Sequence, residues 1–326
     1  MKAIAILYED DELLILDKPS GVPSTLQPGQ ESGTAVHFAL EHCPRLPGGA
    51  EAQDGALARA RTGAGTGAGT GAEPQEGGAS SGAEAKDGDS SLLRRERGLL
   101  HRLDTGTSGA LAFAKTPEAY SRFRAAWKTE VVKIYRAVVA APRENPGMGA
   151  GGGPSPGAGA GDAGIAGSHS RSDSDPPSSS RFPAAFPATL PAASPAILTS
   201  VLSDLPREIR LEIGHDAKSS RRMRVLDPAL PLPMKEQLRR IRGRPQPACT
   251  ILLAARELRQ GMLDLEIRIT TGVMHQIRVH LAHLGLPIVG DATYRGRESS
   301  RLWLHAWKLE LGGRRIEAPL PQDWPR

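Results

Sequence analysis

A nine-residue stretch near residue 100 holds most of the side-chain types that nucleophilic or acid–base chemistry uses. It reads His101-Arg102-Leu103-Asp104-Thr105-Gly106-Thr107-Ser108-Gly109 and lies between two apolar segments. A loop between apolar segments can hold a reactive carboxylate at the edge of a sheet. Its two glycines allow a tight turn or the close approach of a ligand. An ordinary turn held by an Arg–Asp ion pair is the alternative that these residues alone leave open.

Two further segments carry candidate residues. Residues 131–140 are rich in β-branched and aromatic side chains, which predicts a strand containing Tyr135. Residues 263–269 alternate as a strand, and residues 275–284 predict a short helix that carries Arg278 and ends at Gly285. An isolated strand tyrosine usually fills a core, so Tyr135 taken alone predicts little.

The predicted helix at residues 275–284 also raises the question of a metal site. Its three histidines, His275, His280 and His283, do not follow a known ligand spacing, and no acidic partner is evident on that segment. We therefore expect structural or substrate-contacting histidines and no metal.

Composition narrows the class of protein. The chain has 326 residues, with 41 Lys and Arg against 36 Asp and Glu, a net charge of +5. Outside two Gly/Pro/Ala/Ser-rich segments, 45–90 and 141–200, the balance is 34 to 25, which suits a polyanionic partner. The two cysteines, Cys43 and Cys249, form no CxxC pattern, which argues against a disulfide framework or a cysteine zinc site.

The low-complexity segments and the start of the chain allow further expectations. Residues 45–90 and 141–200 cannot bury a core, so we interpret both as disordered inserts in loops. Residues 3–8 form an apolar run that is too short for a signal peptide or a membrane span. We therefore expect a cytoplasmic protein that does not associate with membranes.

Several motifs together resemble those of the RluA-like pseudouridine synthases, which isomerise uridine in ribosomal or transfer RNA. The matches cover residues 8–44, 91–140 and 205–321. The motifs are His-Arg-Leu-Asp followed by Thr-Ser-Gly at 101–109, Lys-Pro-x-Gly at 18–21, Lys-x-Tyr-x-Ala at 133–137, Thr-Gly-x-x-His-Gln-Ile-Arg at 271–278 and Gly-x-Pro-Ile-x-Gly-Asp at 285–291.

The resemblance implies roles for individual residues. Asp104 would be the catalytic carboxylate, and Arg278 would be its ion-pair partner. Tyr135 would stack on the uracil and is a candidate for helping to remove the C5 proton. Arg102 would fill the space left by a flipped nucleotide, since the target base must leave its stack. The other expected substrate contacts are His101, Thr107, His275 and Gln276.

The resemblance also implies an α+β fold, with a bent, mostly antiparallel sheet, flanking helices and a central active-site cleft. We expect one catalytic domain over residues 1–326, interrupted by the inserts at 45–90 and 141–200. The family often carries an RNA-binding S4 domain ahead of the catalytic domain, and we expect none here, because few residues precede residue 8. The reaction has no redox or phosphate-transfer step, so we expect no cofactor. The expected partner is an rRNA or tRNA substrate, and we expect a monomer.

Two alternatives come from other classes: an RNA-binding protein with little turnover, and a carboxylate-dependent hydrolase of small glycosides. The complete set of Asp104, Tyr135 and Arg278 argues against the first. The absence of a second acidic residue in the core motif argues against the second. The chain also departs from the family pattern at two positions. Val273 replaces the usual Arg, and Arg295 separates Tyr294 from Gly296.

Overall fold

The computed structural model describes residues 4–25, 32–47, 97–127, 129–140, 203–259 and 261–325. Apart from residues 45–47, the predicted inserts at 45–90 and 141–200 lie outside these ranges. The described strands are β1 Ala5–Glu9, β2 Leu13–Lys18, β3 Ser108–Ala114, β4 Val132–Ala140, β5 Arg207–Asp216, β6 Met223–Leu226, β7 Ile241–Leu258, β8 Met262–Ile269, β9 Leu304–Leu311 and β10 Arg314–Glu317. The described helices are α1 Ala35–His42, α2 Pro117–Ala126, α3 Met234–Arg239 and α4 Gln276–His283, with a 3-10 turn at Ala292–Tyr294.

The strands form one sheet in the order β1-β2-β3-β9-β4-β8-β7-β5-β6, with β10 beside β9. Strand β3 runs parallel to β9, where Ser108 pairs with His305 and Gly109 with Ala306. The other described pairings are antiparallel. The predicted α+β class with a mostly antiparallel sheet is confirmed.

Helices cover both faces of this sheet. In β2, Leu14 and Leu16 pack in a core that also holds apolar residues of α1 and α4. Leu13 and Ile15 point the other way, into a second core that contains residues of α2. Because successive side chains of a strand alternate between faces, a strand covered on both faces consists of consecutive buried residues.

The helices begin and end where local chemistry predicts. Thr34 Oγ1 accepts from His37 N at the start of α1, and Thr116 Oγ1 accepts from Ala119 N at the start of α2. Helix α4 ends at His283, and Gly285, with a φ of 76°, follows its C-cap Leu284. The described residues include no helix that is both long enough and apolar enough to cross a membrane.

Candidate active site

Asp104 lies on a tight turn that leads into β3. The backbone N–H of Thr107 donates to the carbonyl oxygen of Asp104 at 3.0 Å, which closes a four-residue turn. The Asp104 side chain is 27% exposed. Thr107, which we predicted as a substrate contact, is buried and supports the turn through its backbone.

The last residue of β2 and the segment that follows it support this turn through hydrogen bonds. Lys18 is completely buried, and its Nζ donates to the carbonyl oxygens of Val22 at 2.6 Å and Thr105 at 3.2 Å. Ser20 Oγ donates to the Gly106 carbonyl at 2.7 Å. A buried ammonium needs such acceptors, so Lys18 fixes the position of the backbone that carries Asp104.

Ser24 extends this support to the other side of Asp104. Its hydroxyl donates to the Leu103 carbonyl at 2.8 Å and accepts from the Leu103 N–H at 3.0 Å. The backbone before and after Asp104 is therefore bonded to residues 18–24, about 80 positions earlier in the chain.

Arg278, on α4, is the side chain that meets Asp104. Its Nη1 donates to Asp104 Oδ2 at 2.9 Å, while Nε and Nη2 form a bidentate pair with Asp291 at 2.7 and 2.9 Å. Burial by itself would lower the pKa of Arg278, but the hydrogen bonds and charge of Asp291, with a contribution from Asp104, outweigh burial and raise this pKa. Arg278 is consequently a fixed cation whose planar fork presents one N–H group to Asp104.

Asp291 and Tyr294 complete the support of Arg278. Asp291 is buried, and its Oδ1 also accepts from the backbone N–H groups of Thr293 and Tyr294. The Tyr294 ring lies against the guanidinium, with 5.3 Å between the ring centroid and Cζ of Arg278. Asp291 thus ties α4 to the 3-10 turn that follows it.

His275 is the second basic side chain near Asp104. It precedes α4 in a left-handed conformation with φ of 55°, and its Nε2 lies 3.9 Å from Asp104 Oδ2. Its Nδ1 is 3.1 Å from the Tyr294 hydroxyl, which accepts from the Met223 N–H. Burial lowers the pKa of His275 despite the opposing charge of Asp104, so the imidazole is neutral at neutral pH.

Tyr135 reaches the site from β4. Its phenol is buried, and burial together with the negative charge of Asp104 raises its pKa. The β4–β9 register shifts between Ile134 and Tyr135, which leaves Trp307 as a bulge on β9. Bulges bend a strand and redirect neighbouring side chains, a common feature beside active sites. The raised pKa keeps the phenol protonated at neutral pH.

Gln276 was predicted as a substrate contact, and the structure gives it a different position. Its Oε1 accepts from Thr271 Oγ1 and from the Val273 N–H, and its Nε2 donates to the Cys249 carbonyl and to Thr250 Oγ1. These four bonds use the capacity of a side-chain amide. Gln276 therefore holds the turn before α4 and has no hydrogen-bonding group left for a substrate.

His101 and Arg102 point to different surroundings. The His101 ring stacks on Trp127 at 4.7 Å between centroids, and its Nε2 accepts from the Ala112 N–H. Burial lowers the pKa of His101 to about 3, so its ring is uncharged at neutral pH. The ring packs on Trp127, and no described contact joins it to Asp104. Arg102 is exposed, as a residue entering a substrate would be.

The structure brings Arg278 and His275 to Asp104, and burial, together with the charge of Asp104, raises the pKa of Tyr135. Sequence reasoning assigned no role to four residues that position them: Lys18, Ser24, Asp291 and Tyr294. Lys18 and Asp291 belong to the family motifs at residues 18–21 and 285–291, and this membership is the sequence signal that could have pointed to their roles. Tyr294 stood in the sequence only beside the departure at Arg295, and Ser24 had no local signal that would separate it from ordinary loop residues.

This arrangement can carry out a limited set of reactions. A carboxylate that is oriented by a guanidinium and lies near a buried phenol can act as a nucleophile or as a base.

The histidines of α4 have separate partners, with His280 bonded to Thr250 and His283 to Asp227.

Sequence comparison shows which known proteins part of this chain resembles. A family model described as RNA pseudouridylate synthase matches residues 12–151, which include both Asp104 and Tyr135. A protein of Pseudomonas aeruginosa named ribosomal large subunit pseudouridine synthase D is 23% identical over 98% of this chain and 69% of its own length. Over these residues the chain is similar to RNA pseudouridylate synthases, in agreement with the RluA-like motifs of its sequence. Its match at residues 12–151 includes two of the three motifs that carry Asp104, Tyr135 and Arg278.

Other relatives match more locally. An "Uncharacterized RNA pseudouridine synthase" of Helicobacter pylori strain J99 is 38% identical over 99 residues, which are 30% of this chain and 40% of that protein. The solved structure of human RNA pseudouridylate synthase domain containing 4 has a TM-score of 0.49 at 17% identity, over 98% of this chain and 89% of that one.

Proposed function

We propose that this protein is an RNA pseudouridine synthase that uses Asp104 to isomerise a uridine of rRNA or tRNA. The observation that carries the proposal is the 2.9 Å hydrogen bond from Arg278 Nη1 to Asp104 Oδ2. These two residues belong to separate family motifs 174 positions apart. Their contact creates a carboxylate with a defined orientation at the surface of the domain.

The reaction needs no group beyond the substrate and the protein. The N1–C1′ bond of uridine breaks, the base rotates, and a C5–C1′ bond forms. The proton on C5 leaves and N1 gains one, so the atoms balance. Asp104 acts in this sequence by attacking C1′ of the sugar or C6 of the base, and the adjacent Arg278 keeps it oriented. The bond from Asp104 to C1′ breaks as C5–C1′ forms, or the bond to C6 breaks once the base has rejoined the sugar, so free Asp104 is regenerated in either route.

Tyr135 and Arg102 supply the remaining parts of the proposal. The target nucleotide leaves its stack, at a cost of a few kcal/mol, and its uracil stacks on the Tyr135 ring. Since burial raises the pKa of Tyr135, we assign the phenol to stacking and hydrogen bonding rather than to proton removal as a free phenolate. Arg102 is exposed and enters the space that the base leaves.

The substrate is an RNA, and rRNA is the first class to test because the Pseudomonas relative is named for the large ribosomal subunit. We propose that the protein acts as a monomer in the cytoplasm, where both described cysteines would remain free thiols. An RNA-binding protein without turnover is the alternative that the experiment must separate.

The test compares the parent protein with Asp104→Asn. Tritium release from rRNA and tRNA pools labelled with 5-³H-uridine reports the loss of the C5 proton, and RNA binding is measured in parallel. We expect release by the parent alone, with binding retained in both proteins. The pool that releases tritium identifies the class of substrate.

Two outcomes would contradict the proposal. Equal release by Asp104→Asn would show that Asp104 is not the catalytic carboxylate. Binding by the parent without release from either pool would favour the RNA-binding alternative.

A further inference from the structure

The β5–β6 turn and the start of β7 form a cationic region that the reaction itself does not use. Residues 215–244 contain nine Lys and Arg against three Asp and Glu, an excess of six, although the whole chain has an excess of five. Two of these acids have basic partners, since Asp216 pairs with Arg224 at 2.8 Å and Asp227 with His283 at 2.7 Å. Positive charge therefore dominates this end of the sheet.

Strand pairing brings two separate basic segments together. His215 of β5 pairs with Arg242 of β7, and the Ala217 N–H donates to the Arg240 carbonyl at 2.9 Å. The turn after β5 thus lies beside the start of β7. We call the six cationic residues on these segments the basic edge. They are exposed, except for half-buried Arg240: Lys218, Arg221, Arg239, Arg240, Arg242 and Arg244.

The basic edge is connected to the active site through the 3-10 turn. Arg222 Nη2 donates to the Thr293 carbonyl at 3.2 Å, and the Met223 N–H donates to the Tyr294 hydroxyl at 2.9 Å. Tyr294 in turn contacts Arg278. Strand β7 leads from Arg242 to Cys249, whose carbonyl accepts from Gln276. At about 3.3 Å per residue, Arg242 therefore lies roughly 20 Å along the strand from the start of α4.

The other end of the sheet has a different character. There, Lys115 pairs with Glu9 at 2.9 Å, and Arg122 pairs with Glu12 at 2.7 Å. Arg314 also pairs with Glu12, at 3.1 Å. Basic side chains at that end are matched by acids, so a polyanion would gain little there.

We propose that the basic edge binds the phosphodiester backbone of the RNA that flanks the target uridine. This inference rests on the proposed function, because a uridine at Asp104 brings its flanking strand toward this end of the sheet. Exposed guanidinium and ammonium groups neutralise phosphates and release counterions, so such contacts add affinity and carry little sequence information. The basic edge would determine how long an RNA must be to bind well.

The test uses the full chain and two matched double variants. Arg242→Gln with Arg244→Gln removes two charges from the basic edge. The control, Arg122→Gln with Arg315→Gln, removes two charges from exposed side chains at the other end. A labelled RNA hairpin and a labelled uridine trinucleotide are the probes, and Kd is measured across a range of salt concentrations.

We expect the edge variant to lower the salt slope of hairpin binding by about 1.8, at about 0.9 per phosphate contact. Between about 50 and 200 mM salt, the Kd of the parent should then rise about twelvefold more than the Kd of this variant. The control should keep the slope of the parent, and trinucleotide binding should not change in either variant. Single-turnover tritium release at saturating RNA should equal that of the parent.

An unchanged slope in the edge variant, or an equal change in the control, would overturn the inference, as would a parent that does not bind the hairpin. If thermal melting shows that the edge variant is not folded, the double variant Lys218→Gln with Arg221→Gln tests the same surface. Binding with the expected slopes but no tritium release by the parent would contradict the proposed function alone. Tritium release by the parent, with equal salt slopes of hairpin binding in the parent and the edge variant, would contradict only the inference that the basic edge binds RNA.

Discussion

Arg278 joins the two halves of the candidate site through a single planar group. Two of its nitrogen atoms bond Asp291, and the third bonds Asp104. The orientation of Asp104 therefore depends on Asp291, which is buried and does not meet the substrate in our proposal. An ammonium group has a single nitrogen and cannot reproduce this planar fork.

We predict that Arg278→Lys lowers single-turnover tritium release on the order of a hundredfold, because a small displacement of a reacting group is costly. RNA affinity should change much less, since the positive charge remains. Filter binding and tritium release on the same RNA preparation measure the two effects. Arg315→Lys, at a side chain that is 84% exposed, is the control and should change neither. An equal loss of binding and turnover would mean that Arg278 is only an RNA contact.

Among the secondary-structure elements, the contact between β3 and β9 sets the position of the Asp104 turn. This parallel contact is two residue pairs long. Gly109 permits it, because its φ is 108° and an added Cβ would lie 2.3 Å from the Ala306 carbonyl oxygen. A side chain at this position would push β3 and the preceding loop away from β9.

We predict that Gly109→Ala lowers the free energy of unfolding by about 3 kcal/mol or more, through a backbone clash added to an unfavourable φ. Gly313→Ala is the matched control, since Gly313 also has a positive φ of 76° but an added Cβ would meet nothing within 4 Å. That variant should lose only about 1 kcal/mol. Urea unfolding measures both values, and equal losses would show that the contact between β3 and β9 does not require glycine.

At the scale of the whole molecule, the described residues that flank positions 48–96 lie close together. An added Cβ on Gly98 would lie 3.2 Å from Pro47 Cδ. Residues 48–96 therefore leave and rejoin the domain at nearly the same point. This supports our proposal of a single catalytic domain with an insert, because the length of a loop affects its closure entropy only slowly.

We predict that deletion of residues 55–88 changes the free energy of unfolding by less than about 1 kcal/mol. Tritium release should also be retained, because the described contacts of Asp104 and Arg278 do not involve those residues. Chemical unfolding and the tritium assay on the shortened protein are the measurements. Loss of folded protein, or loss of activity in a folded protein, would contradict the insert interpretation.

The sequence alone predicted much of the fold because strand and helix periodicities are local. The strand that contains Tyr135 and the helix that carries Arg278 are both present, and the helix stops just before Gly285. The family motifs predicted roles for Asp104, Tyr135 and Arg278, and in the structure Arg278 bonds Asp104. Local patterns do not report which face a polar side chain takes, so Gln276 and His101 were predicted as substrate contacts but lie within structural networks.

Only the tertiary structure decided how these parts meet. Asp104 and Arg278 are 174 positions apart, and Lys18 bonds Thr105 across 87 positions. Such contacts depend on strand order and on which buried polar groups need partners, and neither property is encoded in a short stretch of chain. The sequence alone therefore predicted the reactive side chains. Only folding places Asp291 against Arg278 and Lys18 against the Thr105 carbonyl, the contacts that support Asp104.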